Sequence, residues 1–219
     1  IETMGSNIER LTNLVGQLLD FTKIENDNFL STFTMTDIGS VVSGVAHRFG
    51  AILRQSDIAL NLSLPDTPVL CYADSEAITK IASNLMHNAC KFADRAIEVL
   101  LSVKEDRFVL SVINDGQGIP ADQRDKIFES FYQLPKSNAK GGVGLGLSIV
   151  KHLAGLHSGN VYVETTARGM TCFRVEIPLM LHEPEIHPSD MDRVKDTPDR
   201  DGKGPKQVQI RPNRTAILV

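Results

Sequence analysis

Asn84, His87, Asn88 and Lys91 recur at the i, i+3, i+4, i+7 spacing that stacks side chains along one stripe of a helix. Two carboxamides one turn apart offer neutral oxygens to a hard cation, and an ammonium further along offers positive charge to a phosphate. The same stripe also reads as solvated surface opposite an apolar face. Residue choice argues for more than solvation, because Asn is a mediocre helix former where Glu or Lys would serve better. A second stretch, Asp115-Gly-Gln-Gly-Ile-Pro120, is a turn by its Asp-Gly pair. Beside the carboxylate, Gly116 and Gly118 lack a Cβ, so a flat base could lie against backbone. An ionised Asp only accepts hydrogen bonds, so Asp115 would take one from the adenine amine and repel the carbonyl oxygen guanine has there. A third stretch, Gly141-Gly-Val-Gly-Leu-Gly-Leu147, reads either as a flexible loop or as an anion site at a helix N-terminus. It is no Walker loop, and G-x-G-x-x-G fails because Leu147 fills the last glycine position. The protein-kinase catalytic and metal-binding signatures are missing too.

The elements that must carry these residues follow from periodicity and caps. Asp74 is a plausible N-cap for a helix to about Phe92, with Ile78, Ile81, Ala82, Leu85, Ala89 and Phe92 on its apolar side. Phe29, Ser31, Phe33 and Met35 read as a short strand, and Asp37 caps a helix through about Leu53. Ile58–Leu64 alternates as a strand, followed by a loop with Pro65 and Pro68. Two strands, about 96–104 and 108–114, flank a turn, and Leu145–Leu156 is helical. Strands at about 160–165 and 171–177 come last, with Pro178 closing the folded part. Consecutive strands without intervening helices argue against a doubly wound parallel sheet. The expected class is α+β: a two-layer α/β sandwich with helices on one face of a mixed, largely antiparallel sheet.

Composition bounds the rest. A chain of 219 residues with 42% apolar content can bury one good core. The net charge of −4 comes from interspersed acids and bases, so no basic field for nucleic acid is expected. No apolar run approaches the ~20 residues of a membrane span. Cys71, Cys90 and Cys172 are scattered without metal-ligand spacing, which predicts reduced, mostly buried thiols and a cytoplasmic setting. At the start, Ile8, Leu11, Val15 and Leu18 mark an apolar helical stripe over about residues 2–25 that wants a partner helix.

Four stretches in order then carry a resemblance. Asn84–Phe92, Asp115–Pro120, Ile127-Phe-Glu-Ser-Phe-Tyr-Gln133 and Gly142–Leu147 resemble the N, G1, F and G2 boxes of the sensor histidine kinase ATP-binding domain. The resemblance implies a Bergerat fold over residues 28–180, Mg-ATP as ligand, and phosphoryl transfer to a histidine on a separate helical hairpin. By this resemblance Asn88 is the magnesium ligand and Asn84 a second polar contact. Lys91 is a phosphate contact, and Phe92 lies against the nucleotide. Asp115 reads adenine beside Gly116 and Gly118; Gly142, Gly144, Leu145 and Gly146 cover the phosphates; Thr171 sits near the adenine. Residues 133–141 would form a lid whose Lys136 or Lys140 supplies positive charge, since Gln133 stands where many members carry Arg. Met170 likewise replaces a common glycine.

Residues 1–27 resemble the end of the dimerisation and phosphoacceptor hairpin, implying a homodimer through the full hairpin. No histidine here has the phosphoacceptor context, so ATP binding without self-phosphorylation is expected, with no catalytic residue in the chain. Proline-rich residues 181–214 read as a disordered linker. Residues 215–219 resemble the first strand of a receiver domain, which implies a response-regulator partner, either separate or within one parent hybrid kinase, and leaves membrane anchorage of that parent open. Two other functions fit the boxes: a gyrase- or chaperone-like ATPase, and a nucleotide-independent scaffold. The former uses a glutamate at the position of Asn84, and a carboxamide cannot accept a proton from water.

Overall fold

The computed structural model describes residues 12, 15–23, 31–134, 142–180 and 208–210. Its main sheet has five strands: β2 (Ala59–Ser63), β4 (Ala96–Lys104), β5 (Arg107–Asn114), β6 (Asn160–Thr165) and β7 (Thr171–Pro178). They run in the order β2-β4-β5-β7-β6, with β2 parallel to β4 and every other pair antiparallel. The mixed, largely antiparallel sheet is therefore as expected.

Period-two alternation builds one apolar face across this ladder. Val99, Val112 and Phe173 stand in register across β4, β5 and β7, as do Leu101, Leu110 and Val175 one step along. All six are buried. Three helices cover that face: α1 (Ile38–Gln55), α2 (Ser75–Phe92) and α3 (Gly146–Leu156). α2 packs between the other two, burying Ile78, Ile81, Leu85 and Ala89. Its start is fixed by Asp74, whose side chain accepts from the N–H groups of Glu76 and Ala77 at 2.9 and 3.1 Å. Asp37 caps α1 in the same way through Gly39.

A second, three-stranded antiparallel sheet was not expected. β1 (Ser31–Asp37) pairs with β3 (Leu70–Ala73) on one edge and with β8 (Val208–Ile210) on the other. The loop expected after Pro68 is thus partly a strand. The linker expected over 181–214 contains a strand, because β1 offers a free edge to it. Residues 215–219, together with Lys136 and Lys140, lie outside the described residues.

His157 joins the elements at depth. Fully buried, it donates from Nδ1 to the Leu153 carbonyl and accepts the Asp74 N–H at Nε2, 3.1 Å away. The end of α3 is thereby tied to the start of α2. Burial holds its pKa below the ordinary 6.5, against the opposing pull of the Leu153 carbonyl and Asp74. The thiols behave as expected: all three are free, and burial raises them, Cys90 to about 11.

Candidate functional site

The apolar face of the sheet ends in two polar residues. Asn114 closes β5, and its register partner Thr171 opens β7; they are 2% and 4% exposed. Neither Asn114 Nδ2 nor Thr171 Oγ1 has a hydrogen-bond partner. An unsatisfied buried polar atom costs about 1–3 kcal/mol, so two side by side are expensive unless something else bonds them. Thr171 was expected near a base; Asn114 was not singled out, although it continues the period of Leu110 and Val112.

Asp115 departs from expectation. One step further along, it faces the other way, and its carboxylate accepts from the backbone N–H groups of Asp94 and Arg95 at 2.9–3.1 Å. Burial pushes its pKa up, but the N–H groups of Arg95, Ala96 and Asp94 outweigh that and leave it lowered. Asp115 is thus an ionised clamp on the connection after α2, and the side chain turned into the interlayer end is Asn114.

Gly116 is needed for a close approach rather than for an open wall. A Cβ there would lie 1.7 Å from the Phe92 carbonyl oxygen and 3.1 Å from Asn114 Nδ2. The turn after β5 therefore presses on the last residue of α2, directly over the orphaned amide. At Gly118 a Cβ would meet nothing within 4 Å, so its side of the turn is open. Arg124, unremarked in the sequence, braces this end by donating to Thr165 Oγ1 at 2.8 Å.

The polar stripe of α2 is split. Asn84, Asn88 and Lys91 are half-buried on the side facing the glycine loop. Asn84 lies under α3, its Oδ1 3.0 Å from where a Cβ on Gly146 would sit. Its amide is satisfied within the chain: Nδ2 donates to the Lys80 carbonyl, and Oδ1 accepts from Gln17 Nε2 at 3.2 Å. Lys91 Nζ lies 4.9 Å from the Phe92 ring centroid and 3.2 Å from where a Gly142 Cβ would be. His87 was expected on the same side, beside Asn84 and Asn88. It is exposed and turned toward α1 instead, its ring 4.8 Å edge-on from Phe49 and Nδ1 donating to the Ser83 carbonyl.

The glycine loop is held open by its own conformation. Gly142 and Gly144 have φ of 122° and 79°, a region side chains rarely adopt. Gly144 accepts the Phe131 N–H through its carbonyl at 2.9 Å, and a Cβ on it would come within 2.6 Å of the Tyr132 oxygen. Leu145, buried at the cap of α3, gives that helix no side-chain cap. Its first N–H groups stay open to an anion.

The N-terminal helical segment, residues 15–23, reaches this site. Besides Gln17 on Asn84, Asp20 pairs with Lys80 at 2.7 Å, and Phe21 meets Phe131 edge-on at 5.2 Å. Val15, Leu18 and Leu19 are half-exposed or more.

Comparison with known proteins gives these features a setting. Residues 73–181 match the family model described as histidine kinase-, DNA gyrase B-, and HSP90-like ATPase. Hybrid signal transduction histidine kinase D of Dictyostelium discoideum is 30% identical over 188 residues, 82% of this chain and 12% of that protein. Sensor histidine kinase TmoS of Ectopseudomonas mendocina is 33% identical over 183 residues, 81% of this chain and 19% of its own. The chain therefore spans a small part of these curated relatives. Full-length ShkA, solved in complex with AMPPNP, superposes with a TM-score of 0.68 at 27% identity, over 78% of this chain and 36% of that one. The nucleotide-free catalytic domain of histidine kinase ThkA gives 0.60 at 25% identity, over 68% and 97%.

Proposed function

Residues 73–181 belong to the histidine kinase-, DNA gyrase B-, and HSP90-like ATPase family, and from that membership we propose that the chain is the ATP-binding catalytic module of a two-component sensor histidine kinase. The observation that carries this reading is the pair of buried, orphaned polar atoms at the end of the sheet, Asn114 Nδ2 and Thr171 Oγ1. In this reading they meet the nucleotide base, and the open helix N-terminus and the glycine loop receive its phosphates.

In this reading the base enters the end of the interlayer beside Phe92, Gly116 and Gly118. The triphosphate runs along the polar side of α2 to the glycine loop, where Lys91 and the first N–H groups of α3 neutralise it. The donor chemistry fits magnesium. Asn88 offers one neutral oxygen, and the described residues contain no group of three His, Cys, Asp or Glu able to build an all-protein cage. Magnesium characteristically keeps waters and takes most protein-bound contacts through phosphate oxygens. When bound it neutralises charge on the transferring phosphate. Asn84, its amide bonded to the Lys80 carbonyl and to Gln17, ties α2 to the N-terminal helical segment.

The γ-phosphate would pass to a histidine on a helical hairpin, to which residues 15–23 belong; their exposed Val15, Leu18 and Leu19 are the face a partner helix would cover in a homodimer. Onward transfer to a response-regulator receiver domain, in a cytoplasmic setting, completes the proposal. Among the described residues no helix is long and apolar enough to cross a membrane. Calorimetric titration of the chain with a non-hydrolysable ATP analogue and magnesium tests it. Saturable one-to-one binding that Asn88→Ala weakens is expected; absence of binding refutes the reading.

A further inference from the structure

We propose that Asn114, with Thr171, is the residue pair that reads the nucleotide base, and that as a carboxamide Asn114 takes 6-amino and 6-oxo purines alike. The inference rests on the nucleotide-binding reading above and goes on to name the class of base.

The only carboxylate on this turn is turned away. Asp115 spends its oxygens on the N–H groups of Asp94 and Arg95, on the opposite side of the strand end. What faces the interlayer is Asn114 Nδ2, buried, unbonded and directly beneath Gly116. Its cross-strand neighbour Thr171 brings a hydroxyl that is also buried and unbonded. Both groups can act in either sense. A carboxamide has one accepting and one donating end, and a hydroxyl donates or accepts by rotation.

The six-position edge of adenine presents an N–H donor at N6 and an acceptor at N1. Hypoxanthine and guanine present the reverse, an acceptor at O6 and an N–H donor at N1. A carboxylate only accepts: set against the six-substituent it takes the N6–H and repels O6, and it can donate to neither N1 nor O6. A carboxamide satisfies the first with Oδ1 on N6–H and Nδ2 on N1, and the second after a half-turn about χ2. Thr171 adjusts its hydroxyl to either. Discrimination in such a site comes from leaving a buried polar group unpaired, and here neither base does so.

The test uses the full 219-residue chain with magnesium and four triphosphates. ATP and ITP differ at the six-position edge only; purine riboside triphosphate lacks the six-substituent; GTP adds the two-amino group. Calorimetric affinities for ATP and ITP within about tenfold of each other are expected, with the unsubstituted purine weaker than both. Asn114→Asp should move the ratio toward ATP by about tenfold or more. A wild-type preference for ATP above that limit, or a ratio unmoved by Asn114→Asp, overturns the base assignment and leaves the kinase reading standing. Failure of all four nucleotides to bind overturns both. Where Asn114→Asp does not fold, the wild-type series decides alone.

Discussion

Gly116→Ala and Gly118→Ala separate two glycines that look alike in sequence. The Cβ of the first would stand 1.7 Å from the Phe92 oxygen and 2.6 Å from its carbon, where real Cβ contacts stay beyond 3.0 Å. The turn after β5 and the end of α2 must therefore part by more than an ångström. Both partners are backbone, so no rotamer absorbs the shift. Overpacking of this kind costs about 1–3 kcal/mol, and a rigid backbone pair belongs at the upper end. For a chain of this size about 1 kcal/mol moves Tm by about 2–4 °C, which puts the expected fall near 6–12 °C. The same displacement shifts Asn114, whose Nδ2 is 3.1 Å from the added atom, so nucleotide affinity should fall with stability. Gly118 has nothing within 4 Å, and its Ala variant should stay within about 0.5 kcal/mol of wild type. Thermal melts of both variants, each followed by ATP titration, decide the matter. Gly116→Ala melting within about 2 °C of wild type, or the two variants melting together, refutes the close approach on which the site is built.

Acid should weaken the fold through His157. Its folded pKa lies below the ordinary 6.5, so the stability it confers is complete above 6.5 and is lost as pH falls from there toward the folded value. Urea midpoints measured across that window should drop with pH, and His157→Gln should flatten the slope; parallel slopes count against the assignment. Gly144→Ala, forced at φ 79° and 2.6 Å from the Tyr132 oxygen, should part the glycine loop from Phe131 and Tyr132. ATP affinity should then fall by about tenfold or more, and unchanged affinity shows that the loop does not hold the phosphates. Chelation of magnesium should weaken ATP binding, and more so in wild type than in Asn88→Ala; equal losses remove Asn88 from the metal's surroundings.

The elements with local signals were legible in the sequence. Asp37 and Asp74 announce α1 and α2 because a side-chain cap is decided within three residues of its own backbone. The β4–β5 hairpin follows from alternation on both sides of Glu105, which turns at φ 53°. β3 and β8 escaped for the opposite reason. Four residues after Pro68 and three in a proline-rich tail carry no period of their own, and each becomes a strand through a distant edge of β1. His87 shows the same limit on a helix: a wheel puts it in the polar stripe, yet Phe49 of another helix decides which flank it joins.

At the proposed nucleotide end the difficulty is register. A motif read as letters treats Asn114 and Asp115 as neighbours in one turn, and the charged one attracts the chemistry. On a strand those neighbours face opposite sides, so a shift of one residue exchanges the interlayer for the outer surface. The alternation through Leu110 and Val112 had already assigned the inner side to Asn114. What the alternation lacked was a reason to extend past the last apolar residue, since a polar group there looks like the end of the core. The structure supplies the reason: Thr171 stands across from it, Gly116 closes over it, and neither polar atom has a partner of its own. Both atoms are buried without a hydrogen bond, which costs free energy until a partner is supplied. Binding there would offset that cost, which is why we propose the base at Asn114 and Thr171 rather than at Asp115, whose carboxylate is already bonded to the N–H groups of Asp94 and Arg95.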